Sequence, residues 1–413
     1  MNTAPASVLL VTYGGGHIPM VLAVMKALRA QYPGIKLELI ALTTAYAAAL
    51  AAGEKPWQYA DLQHLADPVF VNEWGQKLAP ATQHPTVTEE ETRAYFGINF
   101  WDMAKQHGLT KAQVLFDQNG RHGFFPLNFF KKVIAQFAPS VVVATVSPRS
   151  EAAALQAAIE LGVPTLSMTD LFLRSFDPYC QRSVYADCVT VINEEVRAAL
   201  EAAGVSRQKL HVTGNPAFDG LKEPQLQHRA ADFRKQLGWT DKTVALWAGH
   251  ADYAGGDASD VPLVDYPMAV EAQLRQWVDA DPARALIIRY HPNEAHLFAN
   301  GHAQPRVFLS MPEQSVHEVV IAADVVIVQR STVGLEAALA GKPVVAMINS
   351  PLCLRDDFNY EALGIAYGAP IISDLPTVIA AALQNGCAAP ELANLGLAAP
   401  KVADLILGLV KLR

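Results

Sequence analysis

Several short stretches of the sequence carry side chains able to do chemistry. In GGGHIP, Gly14, Gly15 and Gly16 are followed at once by His17. Adjacent glycines turn a chain tightly and admit a ligand close to backbone N–H groups, and an imidazole with a reference pKa of about 6.5 suits proton abstraction at neutral pH. A helix-start histidine bonded only to its neighbours is the competing reading. The row matches neither GxGxxG nor GxxxxGK followed by Ser or Thr, which disfavours a nicotinamide cofactor or a P-loop.

The second half of the chain points to phosphate. Arg289, His291 and Asn293 lie in RYHPNE, at the end of an apolar run. Arginine and histidine donate hydrogen bonds to phosphate oxygens, and Pro292 stiffens the turn that presents them; a structural strand cap is the alternative. In AADVVIVQRSTVGLEAALAGKPVV, Ser331 and Thr332 stand where they cap a helix opening beside Val333 and Gly334. Such an end gathers free N–H groups and partial positive charge, which suits a diphosphate. Glu336, about one turn in, either reaches back to ribose hydroxyls or is a helix-start glutamate favoured by the dipole alone. Gly249 and His250 close a further apolar run in ALWAGH, where the Gly249 amide is expected to approach the same phosphates. The spacing of Asp252, Asp257 and Asp260 departs from the calcium-loop pattern, so this stretch reads as a solvated loop and no metal is expected.

These residues fall where strands give way to helices. Val8 to Thr12 is an apolar run, the glycines turn the chain, and a helical pattern follows from about Pro19 to Ala30, with a second strand at Lys36 to Leu42. That is a βαβ opening. The alternation continues through strands near Val141 to Thr145, Thr165 to Met168 and Cys188 to Ile192. After HVTGNPAFD a polar stretch, Leu221 to Arg229, reads as a linker. The same grammar then restarts with strands at Thr243 to Ala248, Ala285 to Tyr290, Val307 to Leu309, Val325 to Val328 and Pro343 to Met347. The expected fold class is α/β, with two Rossmann-like, doubly wound parallel-sheet domains at 1–219 and 220–413, the last helix returning to the first. A chain of 413 residues exceeds the roughly 250 to 300 at which one core stops growing, so two domains are expected on length alone.

Composition narrows the function. Hydrophobic residues at 51% and charged residues at 17% exclude a disordered chain, and a net charge of -8 argues against a nucleic-acid partner. No apolar stretch reaches the roughly 18 residues of a membrane span, and no signal peptide is evident, so cytoplasmic residence is expected, extending to the inner face of the membrane. Cys180, Cys188, Cys353 and Cys387 lack metal-binding spacing. Between Glu54 and Phe130 the pattern is less regular and rich in aromatics, which suggests core packing or, more sharply, an acceptor pocket or membrane-contacting patch. Gly97, Gly108, Gly120 and Gly123 there suggest mobile loops.

Taken in order, these motifs resemble the GT-B glycosyltransferase superfamily. GGGH is similar to the N-terminal loop of the bacterial peptidoglycan N-acetylglucosaminyltransferase and of inverting enzymes that place a catalytic histidine after it. TGNPAFD at Thr213 to Asp219 resembles the interdomain segment of UDP-N-acetylglucosamine 2-epimerases and lipid-A-disaccharide synthase. Asp324 to Val345 resembles the donor-binding strand and helix, and RYHPN with RST looks like the motifs of capsule transferases that use CMP-linked sugars. The resemblance implies two domains facing across a cleft, a nucleotide-sugar donor on the C-terminal one and a glycan or lipid-linked acceptor on the other. UDP is favoured as the base, with CMP as the alternative. Gly249, His250, Arg289, His291, Ser331, Thr332 and Gly334 would then serve the donor phosphates, Glu336 the ribose, and His17 would deprotonate the acceptor hydroxyl. Gly14 to Gly16 and Asp170 would lie on the acceptor side. No cofactor or metal is implied. Epimerisation or hydrolysis on the same fold is the nearest alternative; MTDLFLRSF offers Asp170 and Arg174 where that family's pattern carries a glutamate, which lowers it. A non-catalytic nucleotide-sugar binding protein, with His17 idle, is a third reading.

Overall fold

The computed structural model of the chain describes residues 6–80, 87–170, 172–173, 179–182, 184–253, 262–291, 294–298, 303–311, 314–355, 358–387 and 396–411. The chain divides into two compact units, Met1–Asp219 with Leu392–Arg413, and Gly220–Glu391.

The first unit is built on six strands, β1 (Ser7–Tyr13), β2 (Lys36–Leu42), β3 (Val141–Ala144), β4 (Thr165–Met168), β5 (Cys188–Val191) and β6 (Leu210–Val212). They run parallel in the order β2-β1-β3-β4-β5-β6. Burial on both faces explains why β1 and β3 read as unbroken apolar runs. Val8 faces Leu37 of β2 on one side and Val141 of β3 on the other. The strand order therefore reverses across β1, and the crevice outside the carboxyl ends of β1 and β3 is where such sheets bind ligands. Helix Ala398–Lys411 belongs to this unit, sharing a buried cluster with helix Ile18–Gln31 through Val402, Ala403, Ile406 and Leu407. Asp219 fixes its start by accepting from the N–H groups of Gly396, Ala398 and Ala399 at 2.9, 3.2 and 2.7 Å.

The aromatic region is helical, where the sequence had suggested loops. Helices Pro68–Leu78 and Glu89–His107 cross at two glycines: a Cβ on Gly97 would stand 2.1 Å from the Val71 carbonyl oxygen, and one on Gly75 would stand 2.4 Å from that of Arg93. Gly97 thus marks a backbone contact inside a helix, and Gly108, at φ +79, ends that helix. Tyr59, Tyr95, Phe100, Phe124, Phe129 and Phe130 are buried and pack edge-on or tilted against other rings. These six rings form core, while Trp57, Trp74, Phe96 and Phe125 of the same region remain partly exposed.

The second unit carries β7 (Thr243–Gly249), a short hairpin of β8 (Asp252–Tyr253) and β9 (Pro262–Leu263), then β10 (Arg284–Tyr290), β11 (Val307–Leu309), β12 (Val325–Val328), β13 (Val344–Ala346) and β14 (Tyr367–Gly368). Its six-stranded parallel sheet has the order β11-β10-β7-β12-β13-β14, the dinucleotide-fold order, with the reversal between β7 and β12. Trp247, Ile288, Ile327 and Val345 centre its core. The stretch read as a linker runs from the end of a 3-10 helix, Pro216–Lys222, into helix Pro224–Gln236. Its sparse apolar residues Leu226, Ala230 and Phe233 sit at one-turn intervals and are buried, a stripe too thin to stand out from its polar neighbours. No helix among the described residues is long and apolar enough to cross a membrane.

Candidate functional site

At the reversal point of the first unit, β1 ends in Tyr13 and the chain turns through Gly14, at φ +82, a conformation side chains resist. The Gly15 N–H donates to Thr44 Oγ1 at 2.7 Å, and the preceding Thr43 is held at φ 56, an unusual setting for a β-branched residue. A Cβ on Gly16 would meet nothing within 4 Å. His17 is the N-cap residue of helix Ile18–Gln31, yet its side chain makes no capping bond. It turns instead toward the ends of β3 and β4.

There the imidazole stands between two acids. Nδ1 lies 3.2 Å from Thr145 Oγ1 and 3.7 Å from Glu151 Oε1, while Nε2 lies 3.3 Å from Asp170 Oδ2. Glu151, in the first turn of helix Ser150–Glu160, is fully buried, and its Oε1 accepts from the Tyr13 N–H at 3.0 Å and from the Thr145 hydroxyl at 2.6 Å. Because Thr145 spends its proton on Glu151, its oxygen can only accept from His17 Nδ1–H. Nε2 faces a carboxylate and is favoured as a donor too. Burial alone would lower the pKa of His17, but the hydrogen bonds and charges of Asp170 and Glu151 outweigh it and raise it to about 10. The neutral imidazole expected from the reference pKa is therefore not the form this pocket favours: His17 rests as a cation, and the open acceptor capacity lies on Asp170, whose side chain is 26% exposed. Glu151 and Thr145 escaped the sequence reading; a glutamate opening an Ala-rich helix was the only signal. Arg174 lies outside the described residues.

The reversal point of the second unit gathers some of its expected residues and disperses others. The N–H of His250 donates to Gln329 Oε1 at 3.3 Å, and Gln329 Nε2 donates to Asp252 Oδ1 at 3.2 Å. The Ala251 N–H donates to Glu294 Oε2 at 2.7 Å. Burial pushes His250 down, keeping its ring neutral, and Nδ1–H is the atom that donates to the Ala251 carbonyl at 3.2 Å. His291 is exposed just beyond β10, its N–H donating to the Gly249 carbonyl at 3.1 Å. Ser331 caps helix Thr332–Leu339 by accepting from the Val333 N–H at 3.3 Å, and Thr332 is the first helical residue. Arg330, between that cap and the buried Gln329, is a cation the sequence reading passed over; burial first, and the charge of Arg355 second, lower its pKa.

Four of the expected donor residues also have contacts within the fold. Arg289 is buried and donates to Ser310 Oγ at 2.8 Å and to the Met311 carbonyl at 3.0 Å, tying β10 to the segment after β11. Glu336 is buried beside His317, with Oε2 3.2 Å from Nε2. Gly249 makes room for the Trp247 indole, 2.7 Å from where a Cβ would sit. Gly334 lets its helix close on Val328 and Tyr360, 2.9 and 3.1 Å from its would-be Cβ. Asn293 and Pro292, like Asp257 and Asp260, lie outside the described residues.

Two parallel α/β sheets, one in each unit, with polar clusters at both reversal points, decide the architecture. The fold is GT-B. Solved structures with this fold include UDP-GlcNAc 2-epimerase from Neisseria meningitidis bound to UDP-GlcNAc, 14% identical, covering 98% of this chain and 100% of that one with a TM-score of 0.58. A putative UDP-N-acetylglucosamine 2-epimerase from Listeria monocytogenes is 16% identical, covering 99% and 96% with a TM-score of 0.60. The enzyme from Methanocaldococcus jannaschii is 12% identical, covering 97% and 99% with a TM-score of 0.57. No curated protein sequence matches the chain. Residues 165–350 match the family model for CDP-Glycerol:Poly(glycerophosphate) glycerophosphotransferase. Within this GT-B chain that segment holds Asp170, His250, Gln329 and the Ser331 cap, while His17 and Glu151 precede it.

Proposed function

We propose that the chain is a transferase that moves a group from a nucleotide-activated donor to a hydroxyl of a surface-glycan or lipid-linked acceptor. The observation that carries this reading is the His17–Asp170 pair at the ligand-binding edge of the first sheet, backed by a fully buried glutamate. A structural ion pair has no need of an acid placed where substrate arrives, and perturbed groups gather where chemistry is done. The acceptor hydroxyl loses its proton to the Asp170 carboxylate while the His17 cation holds that carboxylate in place. The nucleotide phosphates lie at the carboxyl ends of β7 and β12, where the Ser331-capped helix end and Arg330 stabilise charge on the leaving phosphate without calling on a metal.

The family match favours a CDP-linked alcohol or a nucleotide sugar as donor. With a CDP-alcohol, the acceptor oxygen bonds to the distal phosphorus and CMP leaves; with a nucleotide sugar, it bonds to the anomeric carbon and the nucleotide leaves. Each route consumes one hydroxyl proton, which Asp170 takes. Calorimetric titration of the full chain with CMP, CDP, UDP, GDP and TDP tests the donor side. One nucleotide binding well above the rest is expected, and no binding by any of them would overturn the reading. Epimerisation, suggested by the structural neighbours, predicts turnover of UDP-GlcNAc with no acceptor present.

A further inference from the structure

We propose that Gln329 and Asp252 form a buried clamp that sets donor-nucleotide affinity in the second unit, Gln329 acting as a positioning residue. This rests on the reading that a nucleoside diphosphate binds at the ends of β7 and β12. Gln329 is fully buried and immediately follows β12. Its side chain makes two bonds, Oε1 accepting from the His250 N–H at the end of β7 and Nε2 donating to Asp252 Oδ1 at the start of the β8–β9 hairpin, while its backbone carbonyl accepts from Cys353 Sγ at 3.4 Å. Asp252 is 2% exposed, its Oδ2 has no hydrogen-bond partner among the described residues, and burial pushes its carboxyl up to about 6.

A polar side chain is expensive to bury, so its geometry must be satisfied atom by atom. Here the demand is specific. The position needs an acceptor toward His250 and a donor toward Asp252, which an amide offers on one planar group and a carboxylate cannot. Two residues later Ser331 caps helix Thr332–Leu339, and the Ser331 carbonyl accepts from the Tyr360 hydroxyl at 3.0 Å. Gln329 thereby fixes the path of the three-residue turn that aims the helix N–H groups, while touching no ligand itself. The first unit has a parallel device: the Tyr13 N–H at the end of β1 donates to the fully buried Glu151.

The test is a donor–acceptor swap. Full-length wild type, Asp252→Asn, Gln329→Glu and the double variant are titrated calorimetrically with CDP and UDP, and melting temperatures are recorded. Asp252→Asn keeps an acceptor toward Gln329 but gives up the carboxylate, and is expected to weaken binding less than Gln329→Glu does. Gln329→Glu sets two carboxylates together and weakens nucleotide binding by about tenfold or more. In the double variant the asparagine turns its NH2 toward the new glutamate, and affinity recovers to that of Asp252→Asn. Gln329→Met, which removes both bonds without adding charge, weakens binding in the same way and serves if Gln329→Glu fails to fold; in turnover it raises the donor KM with kcat little changed. Wild-type affinity in Gln329→Met, or a double variant as weak as Gln329→Glu, overturns the clamp. Failure of the wild type to bind any nucleotide overturns the donor-site reading itself, and the clamp with it.

Discussion

His17 Nε2 lies 3.3 Å from Asp170 Oδ2, so the first unit joins the loop after β1 to the end of β4 through a cation and a partly exposed carboxylate. The proton inventory follows from the neighbours: Thr145 gives its hydroxyl proton to Glu151, His17 gives one to Thr145, and the partly exposed Asp170 carboxylate is the acceptor within reach of solvent.

Asp170→Asn should therefore lower turnover by on the order of 100-fold or more, the usual worth of a general base, with nucleotide affinity nearly unchanged. His17→Ala should lose turnover on a similar scale by releasing the carboxylate. Steady-state rates with calorimetry on each variant check this; undiminished turnover in Asp170→Asn removes the carboxylate from the reaction.

The same pair ties stability to pH. The folded pKa of His17 is raised from 6.5 to about 10, so its contribution is fully present below the unfolded value and fades as pH climbs between the two. In urea titrations, wild type should exceed His17→Gln by most near pH 6, the gap closing toward pH 10. A gap constant over that range would contradict the ion pair.

Glu151→Ala strips the partner from Tyr13 N–H, Thr145 and the His17 cation at once, and should cost about 3–5 kcal/mol. Chemical denaturation measures it; a loss under about 1 kcal/mol, typical of an exposed pair, would show the acid is not part of the frame.

Glycines separate structure from function. Gly97→Ala drives a methyl into the Val71 carbonyl and should cost about 3 kcal/mol or more, whereas Gly16→Ala has open space and should leave the melting temperature nearly unchanged. Differential scanning calorimetry of the two decides it.

Much of this architecture was legible in the sequence because its parallel strands are buried on both faces and so appear as apolar runs such as VLLV and VVIV, each closed by small or polar residues. Ser331 could be read as a cap because capping chemistry is local. Glu151 and Gln329 could not be read as a frame, since their partners Tyr13 and His250 lie 138 and 79 residues away in sequence. Arg289 and Glu336 show the converse: polar residues beside a strand end suggest a ligand, yet Arg289 also donates to Ser310 and Glu336 also lies beside His317 within the fold. Helix Pro224–Gln236 stayed hidden because only three of its residues are buried.

The most direct measurement is nucleotide release coupled to product mass. The chain is incubated with CDP-glycerol or UDP-GlcNAc, with and without hydroxyl-bearing glycan and lipid-linked acceptors, and products are followed by mass spectrometry. Acceptor-dependent release of CMP or UDP, with the acceptor heavier by the transferred group and the reaction lost in Asp170→Asn, is the predicted result. An unchanged acceptor alongside acceptor-independent conversion of the nucleotide sugar would contradict it.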